Sequence, residues 1–242
     1  MPSSPNPKPV SQVWHPEVTR LPVLTTGRRF FRWISRGVCR VAVRLCTRIT
    51  VQGLENYPTN APALITMNHL GDPDIVLLLG CLPEFLEIMG KIELRDIAVL
   101  RVVTDWLGVI WVHQGRPDRR AITCALEALR QGRRVQIAPE GRESASGDLE
   151  AGTEGAAFLA TRAGRPVPIV PVTITGSEFR LIENKIKRFR RTPVAVTVGK
   201  PFFLPDPGRG QDGLQEGTRL IMEALARQLP PGYRGVYAYV KD

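Results

Sequence analysis

The sequence predicts an α/β domain with a central mixed, mostly parallel sheet covered by helices, preceded by a basic amphipathic helix. Three observations carry that expectation. Short apolar runs rich in β-branched residues, ALITM (63–67), GVIWV (108–112), RVQIA (134–138), VPIVPVTIT (167–175) and VAVTV (194–198), alternate with helical stretches, as strands joined by covering helices do. The chain has 242 residues, 43% of them hydrophobic and 23% charged, enough for one large core, which excludes a disordered polymer and a disulfide-stapled mini-protein. Arginine also recurs every fourth residue from Arg28 to Arg48.

Residues 1–27 are rich in Pro and Ser in their first half and read as a mobile lead-in. Residues 28–49 read as the basic helix: Arg28, Arg32, Arg36, Arg40, Arg44 and Arg48 form one slowly winding cationic stripe, with Phe30, Phe31, Trp33, Ile34, Val38, Val41, Leu45 and Ile49 on the remaining surface. Nine basic residues against Glu17 alone in positions 1–50 supply eight of the net +10. Such a helix suits an anionic membrane surface, with apolar side chains inserted and arginines on phosphates. The same pattern also fits a helix packed on its own domain with a solvated basic face. Nucleic acid is disfavoured, since no zinc-finger, RRM or KH pattern occurs.

Residues 50–242 form the α/β domain, with helices expected near 74–82, 93–106, 118–131, 153–164 and 212–229 and a loop over FFLPDPGRGQDG (202–213). Cys39, Cys46, Cys81 and Cys124 form no CxxC pair, so they read as reduced thiols of a cytoplasmic protein. The longest apolar run, IVLLLGCLP after Asp74, stops at Glu84, well short of the roughly 18–20 residues that span a bilayer.

Candidate chemistry lies where strands end. ALITM runs into Asn68-His69-Leu70-Gly71-Asp72-Pro73-Asp74; Asp72 suits an N-cap and Pro73 a first helical position, which leaves His69 on the connecting loop and Asp74 in the first turn. A loop folded over a helix start can bring the imidazole onto the carboxylate, which then holds one tautomer and stabilises the imidazolium. Alone, the spacing fits a structural histidine near a helix cap equally well. Two more strand exits add context. RVQIA opens into Pro139-Glu140-Gly141-Arg142-Glu143-Ser144, and GVIWV into His113-Gln114-Gly115-Arg116, offering a carboxylate, a close-approach glycine and guanidinium groups able to grip phosphate. Pro168 and Pro171 interrupt a further apolar run. Arg119, Arg120, Arg133 and Arg134 read as solvated turn and helix residues. Ser144 and Ser177 lack a GxSxG setting, so neither reads as an activated nucleophile. The three histidines form no ligand-spaced cluster with Cys, and neither GxGxxG nor a P-loop occurs, so no metal and no nucleotide cofactor is expected.

In order and spacing, NHLGDPD, GVIWVHQGRPD, APEGRES and VPIVPV resemble the four sequence blocks of the PlsC-like 1-acyl-sn-glycerol-3-phosphate acyltransferases over about residues 50–200. The resemblance implies that fold type, with His69 as general base and Asp74 as its partner. It assigns substrate contacts to Asn68, Arg116, Glu140, Gly141, Arg142 and Pro171; Glu140 and Gly141 would place the acceptor, and Pro171 lies in the block tied to acyl-donor binding. It also implies acyl transfer from acyl-CoA or acyl carrier protein, as co-substrate, to a lysophospholipid hydroxyl, foremost 1-acylglycerol-3-phosphate, at the cytoplasmic face of a membrane. Gly71 replaces a common hydroxyl residue, Gln114 an arginine, and Arg142-Glu143 a frequent Thr-Arg. Arg116 and Arg142 would then grip phosphate from shifted positions, or the acceptor is a different lysolipid or alcohol. A hydrolase sharing the dyad and a non-catalytic basic membrane- or nucleic-acid-binding protein are the competing readings.

Overall fold

A computed structural model of the chain describes residues 10–178, 182–183, 190–205 and 211–241. Seven strands, β1 (Thr47–Gln52), β2 (Ala63–Met67), β3 (Glu87–Lys91), β4 (Ile110–Val112), β5 (Arg134–Ile137), β6 (Ile169–Thr175) and β7 (Thr192–Val198), form one sheet in the order β1-β7-β6-β2-β5-β3-β4. All neighbouring pairs are parallel except β6 with β7. The helices are α1 (Thr26–Cys46), α2 (Pro73–Cys81), α3 (Ala98–Leu107), α4 (Arg119–Arg130), α5 (Gly155–Arg162) and α6 (Gln211–Gln228). The mixed, mostly parallel sheet is the one expected.

Period-two alternation divides the core. Along β2, Ala63, Ile65 and Met67 face one cluster with Leu77, Leu78 and Val43 of α2 and α1. Leu64 faces the opposite cluster with Ala125 and Leu129 of α4, Ala157 and Leu159 of α5, and Ile221 of α6. All five β2 residues are buried, as a central strand covered on both faces requires.

Several boundaries differ from the sequence reading: the helix expected near 93–106 divides into a 3-10 segment (Ile92–Asp96) and α3, and the N-terminal boundaries change most. The first helix ends at Cys46, and Thr47, Arg48 and Ile49 belong to β1, paired with Thr192, Pro193 and Val194 of β7. The expected 28–49 helix and 50–242 domain therefore overlap in one strand. Arg48 and Ile49 continue the step-of-four pattern, but the pull of the sheet outweighs it. Nor is the described part of the lead-in detached: Ser11 N–H donates to the Gln114 carbonyl at 2.9 Å, Thr19 Oγ1 to the Trp111 carbonyl at 3.1 Å, and both residues are buried. Residues 1–9, with Lys8, and residues 206–210 of the expected 202–213 loop lie outside the described residues.

Four arginines of the α1 stripe reach neighbouring elements, Arg32 from a buried position, whereas Arg44 is exposed. Arg32 binds both oxygens of buried Glu87 at 2.9 and 2.8 Å and the Leu107 carbonyl at 2.8 Å. Arg28 donates to the carbonyls of Asp105 and Trp106, both at 3.2 Å. Arg36 donates to Leu79 at 3.3 Å and to Leu82, and Arg40 to Gly80 at 3.3 Å. These carbonyls end α3 and α2, where four acceptors per helix lack intrahelical partners and the macrodipole favours cations. The apolar side of α1 is consequently outside: Trp33 and Leu45 are each 70% exposed, beside Phe30, Ile34, Val38 and Val41, and α3 adds Val99 at 74% with Val102 and Trp106. Neither of the two orientations expected for this helix had arginines capping neighbouring helices. Among the described residues, no helix is long and apolar enough to cross a membrane.

Candidate active site

The exit of β2 delivers Asn68 and His69 into a short loop, and α2 begins at Pro73 as expected. Asp72 stands at the N-cap position but makes no side-chain cap bond. Asp74, in the first turn, is instead the carboxylate that organises the loop. Its Oδ2 accepts the N–H groups of Leu70 and Gly71 at 2.7 and 3.1 Å and lies 2.8 Å from His69 Nδ1. Its Oδ1 accepts the Ser177 hydroxyl at 2.5 Å. The carboxylate is fully buried, and a buried charge needs this many donors to be tolerated. Bonding at Nδ1 leaves Nε2 of a ring that is 20% exposed as the nitrogen able to exchange a proton. Burial pulls the His69 pKa down, but the hydrogen bond and charge of Asp74, with Glu143 and Glu140 beyond, raise it above its ordinary value.

The main chain of His69 is held as firmly as its ring. Glu140, at the exit of β5, is fully buried; its Oε1 accepts the His69 N–H at 3.1 Å and its Oε2 the Glu150 N–H at 2.8 Å. Ser144 N–H donates to the His69 carbonyl at 2.7 Å. Burial drives the Glu140 carboxyl up to about 7, against the two backbone donors that lower it. Gly141 turns the chain with φ +76°, a left-handed conformation that favours glycine, and carries Arg142 away from the buried carboxylate.

The residues expected at the site are only partly brought together. His69, Asp74, Glu140 and Gly141 converge. Asn68 does not face a ligand: its amide donates to the Ile174 carbonyl and accepts the Ile174 N–H, both at 2.8 Å, continuing the β2–β6 pairing beyond the strand. Arg142 is paired with Glu150 at 2.6 Å, and Arg116, exposed past the end of β4, lies over the Trp14 ring at 5.9 Å. Pro171 is buried inside β6, its carbonyl accepting Gly199 N–H at 2.8 Å. Glu140 also differs from its expected part, since its oxygens hold backbone rather than face an acceptor.

Ser177 was missed as a partner of Asp74, because 103 residues separate them and a serine past a strand carries no local signature. Replacing Ser177 with Ala leaves Oδ1 of a buried carboxylate without its hydroxyl, so a destabilisation of about 1–3 kcal/mol is expected. The imidazole stays in place through Oδ2. Thermal melts and rates on one preparation check this: a clear melting shift should accompany a rate loss smaller than that of any His69 variant.

His113 and Asp118 repeat the five-residue spacing, with Nδ1 and Oδ2 2.5 Å apart. This ring is fully buried, and its Nε2 accepts the His15 N–H at 3.1 Å while Trp14 packs on it at 4.5 Å. With both nitrogens occupied, the second pair clasps the N-terminal segment.

Fold and site together define an α/β domain that presents an imidazole of fixed tautomer at the exits of its parallel strands. The chain belongs to the acyltransferase family, whose model matches residues 48–175, more than half of it. It is 29% identical to the 1-acyl-sn-glycerol-3-phosphate acyltransferase of Borreliella burgdorferi over 57% of this chain and 56% of that protein. Against human 1-acyl-sn-glycerol-3-phosphate acyltransferase beta the identity is 31% over 61% and 52%. The chain thus matches little more than half the length of these curated relatives. The crystal structure of the 1-acyl-sn-glycerophosphate (LPA) acyltransferase PlsC from Thermotoga maritima shares the fold, with a TM-score of 0.62 at 24% identity over 80% of this chain and 77% of that one.

Proposed function

We propose that this chain transfers a fatty acyl group from a thioester, acyl-CoA or acyl carrier protein, to the free hydroxyl of a lysophospholipid, giving phosphatidic acid when the acceptor is 1-acylglycerol-3-phosphate. The observation that carries this reading is the His69–Asp74 pair, with Nε2 free of the bond that fixes the tautomer. His69 Nε2 takes the hydroxyl proton as the oxygen attacks the thioester carbonyl. The tetrahedral intermediate then collapses, the C–S bond breaks, and the imidazolium returns the proton to the leaving thiolate. Asp74 acts as a positioning residue that stabilises the imidazolium, and general-base help of this kind is worth about 10² to 10⁴ in rate. No protein nucleophile is needed.

Incubation with acyl-CoA and 1-acylglycerol-3-phosphate tests the reaction. Phosphatidic acid and free CoA in equal amounts are expected; free fatty acid without phosphatidic acid would favour the hydrolase reading and sink this one.

The exposed faces of α1 and α3 are the surface we assign to membrane docking, on the cytoplasmic side where acyl thioesters are made. Trp33, Val38, Leu45, Val99 and Trp106 would enter the headgroup boundary. Changing Trp33, Val38 and Leu45 together to Glu should release the protein from anionic vesicles in a sedimentation assay while its circular dichroism is retained. Deleting residues 1–50 is not a usable test, because that removes most of β1 and the arginines that cap α2 and α3.

A further inference from the structure

Close to His69, whose carbonyl accepts the Ser144 N–H at 2.7 Å, the third sequence block places a carboxylate, Glu143, which sets the charge an acceptor headgroup meets. Glu143 Oε1 lies 3.1 Å from Lys91 Nζ at the end of β3, with the two side chains 38% and 33% exposed. Asp72, on the His69 loop, is within hydrogen-bond reach of Glu143, and burial together with the Glu143 charge pushes its carboxyl up while Lys91 pulls it down. The same cluster reaches His69, whose charge acts on Asp72 and on which Glu143 acts in turn. Two carboxylates and one ammonium thus stand, partly solvated, next to the proton-exchanging ring.

A phosphomonoester headgroup brings close to two negative charges, competes with Glu143 for Lys91 and faces Asp72. Arg142 offers little relief, its charge being offset by Glu150. A phosphodiester ending in a primary ammonium matches the cluster group for group, its phosphate on Lys91 and its ammonium on the two carboxylates. Its dipole then lies antiparallel to the Lys91–Glu143 pair.

We propose that this chain also acylates lysophospholipids whose headgroup is an aminoalkyl phosphodiester, with Glu143 and Asp72 reading the ammonium and Lys91 the phosphate. The inference rests on the acyl-transfer reading above. The reaction is the same exchange: the acceptor C–O(acyl) bond forms, the thioester C–S bond breaks, and the hydroxyl proton leaves with the thiol.

The test uses the full chain with acyl-CoA and three acceptors: 1-acylglycerol-3-phosphate, 1-acylglycero-3-phosphoethanolamine, and the latter N-acetylated so that the phosphodiester stays and the ammonium is lost. Turnover of the phosphoethanolamine acceptor is expected, falling about tenfold or more in kcat/KM on N-acetylation, the usual scale for losing a charged hydrogen bond. Glu143→Gln should lower kcat/KM for the phosphoethanolamine acceptor by a similar factor, mainly through KM, and raise it for the phosphomonoester by freeing Lys91. Asp72→Asn should shift the two in the same directions. Transfer to the phosphomonoester alone, equal use of the free and acetylated amines, or an equal effect of Glu143→Gln on both acceptors overturns the inference and leaves acyl transfer standing. Transfer to none of the three defeats the acyl-transfer reading itself.

Discussion

His69→Ala should lower kcat for acyl transfer by at least about 10²-fold, the lower bound for general-base help, while vesicle binding and the melting profile stay close to wild type. The ring is attached to the fold chiefly through one bond to Asp74 and is 20% exposed, so its loss removes chemistry before structure. A wild-type rate in the alanine variant would end the proposed mechanism. The pH profile gives an independent check. The base must be neutral to act, and Asp74, Glu143 and Glu140 hold its pKa above 6.5, so the acid limb of kcat/KM should lie above that value. Asp74→Asn removes the main stabilising charge; the limb should move down while the plateau falls, because the fixed tautomer is lost. The linkage sign follows from the same shift. A histidine raised in the folded state contributes stability below its unfolded pKa and loses that contribution as pH rises through the folded value. The pH range that switches the base on therefore removes a little stability, and His69→Ala should flatten that slope.

The second large effect is on stability. Arg32→Leu removes the closer of two guanidinium partners of buried Glu87 and leaves Arg133, 3.5 Å away, so the loss should approach the lower end of the roughly 3–5 kcal/mol that breaking a buried pair costs. For a chain of this size that is a melting shift on the order of 10 °C. Replacing both Arg32 and Glu87 with Leu should cost less, because the buried carboxylate goes with its principal partner while Arg133 keeps its bonds to the Pro22 carbonyl and Gln131. Vesicle binding by any Arg32→Leu protein that stays folded should be unchanged, since the guanidinium points inward. A loss of binding at an unchanged melting temperature would return Arg32 to the lipid-facing role expected from the sequence.

That contrast shows what a linear sequence discloses here. Periodicity placed Arg28, Arg32, Arg36 and Arg40 on one face, but what the face meets depends on where α2 and α3 end, and those ends are set by tertiary packing. The strand ALITM and the helix start at Pro73 were legible residue for residue, because an apolar run changes abruptly into turn and cap residues. β1 was hidden inside the arginine pattern. β3 was hidden because EIMGK begins and ends with a charged residue, and it is the contacts with Arg32 and Arg133 that accommodate Glu87 in the core. At the site, the His69–Asp74 contact and the approach of the Pro-Glu-Gly turn followed from strand exits. The contacts of Asn68, Arg142 and Arg116 with Ile174, Glu150 and Trp14 are ones that local spacing does not reveal.

The clasp at His113 has a consequence for handling the protein. β4 ends the strand order, and unprotected sheet borders recruit strands from other molecules. Ser11 and Thr19 bond to Gln114 and Trp111 along that border. A preparation nicked by protease between Thr19 and Gly27 would lose this cover, and polymers growing border to border are the form in which such material should accumulate.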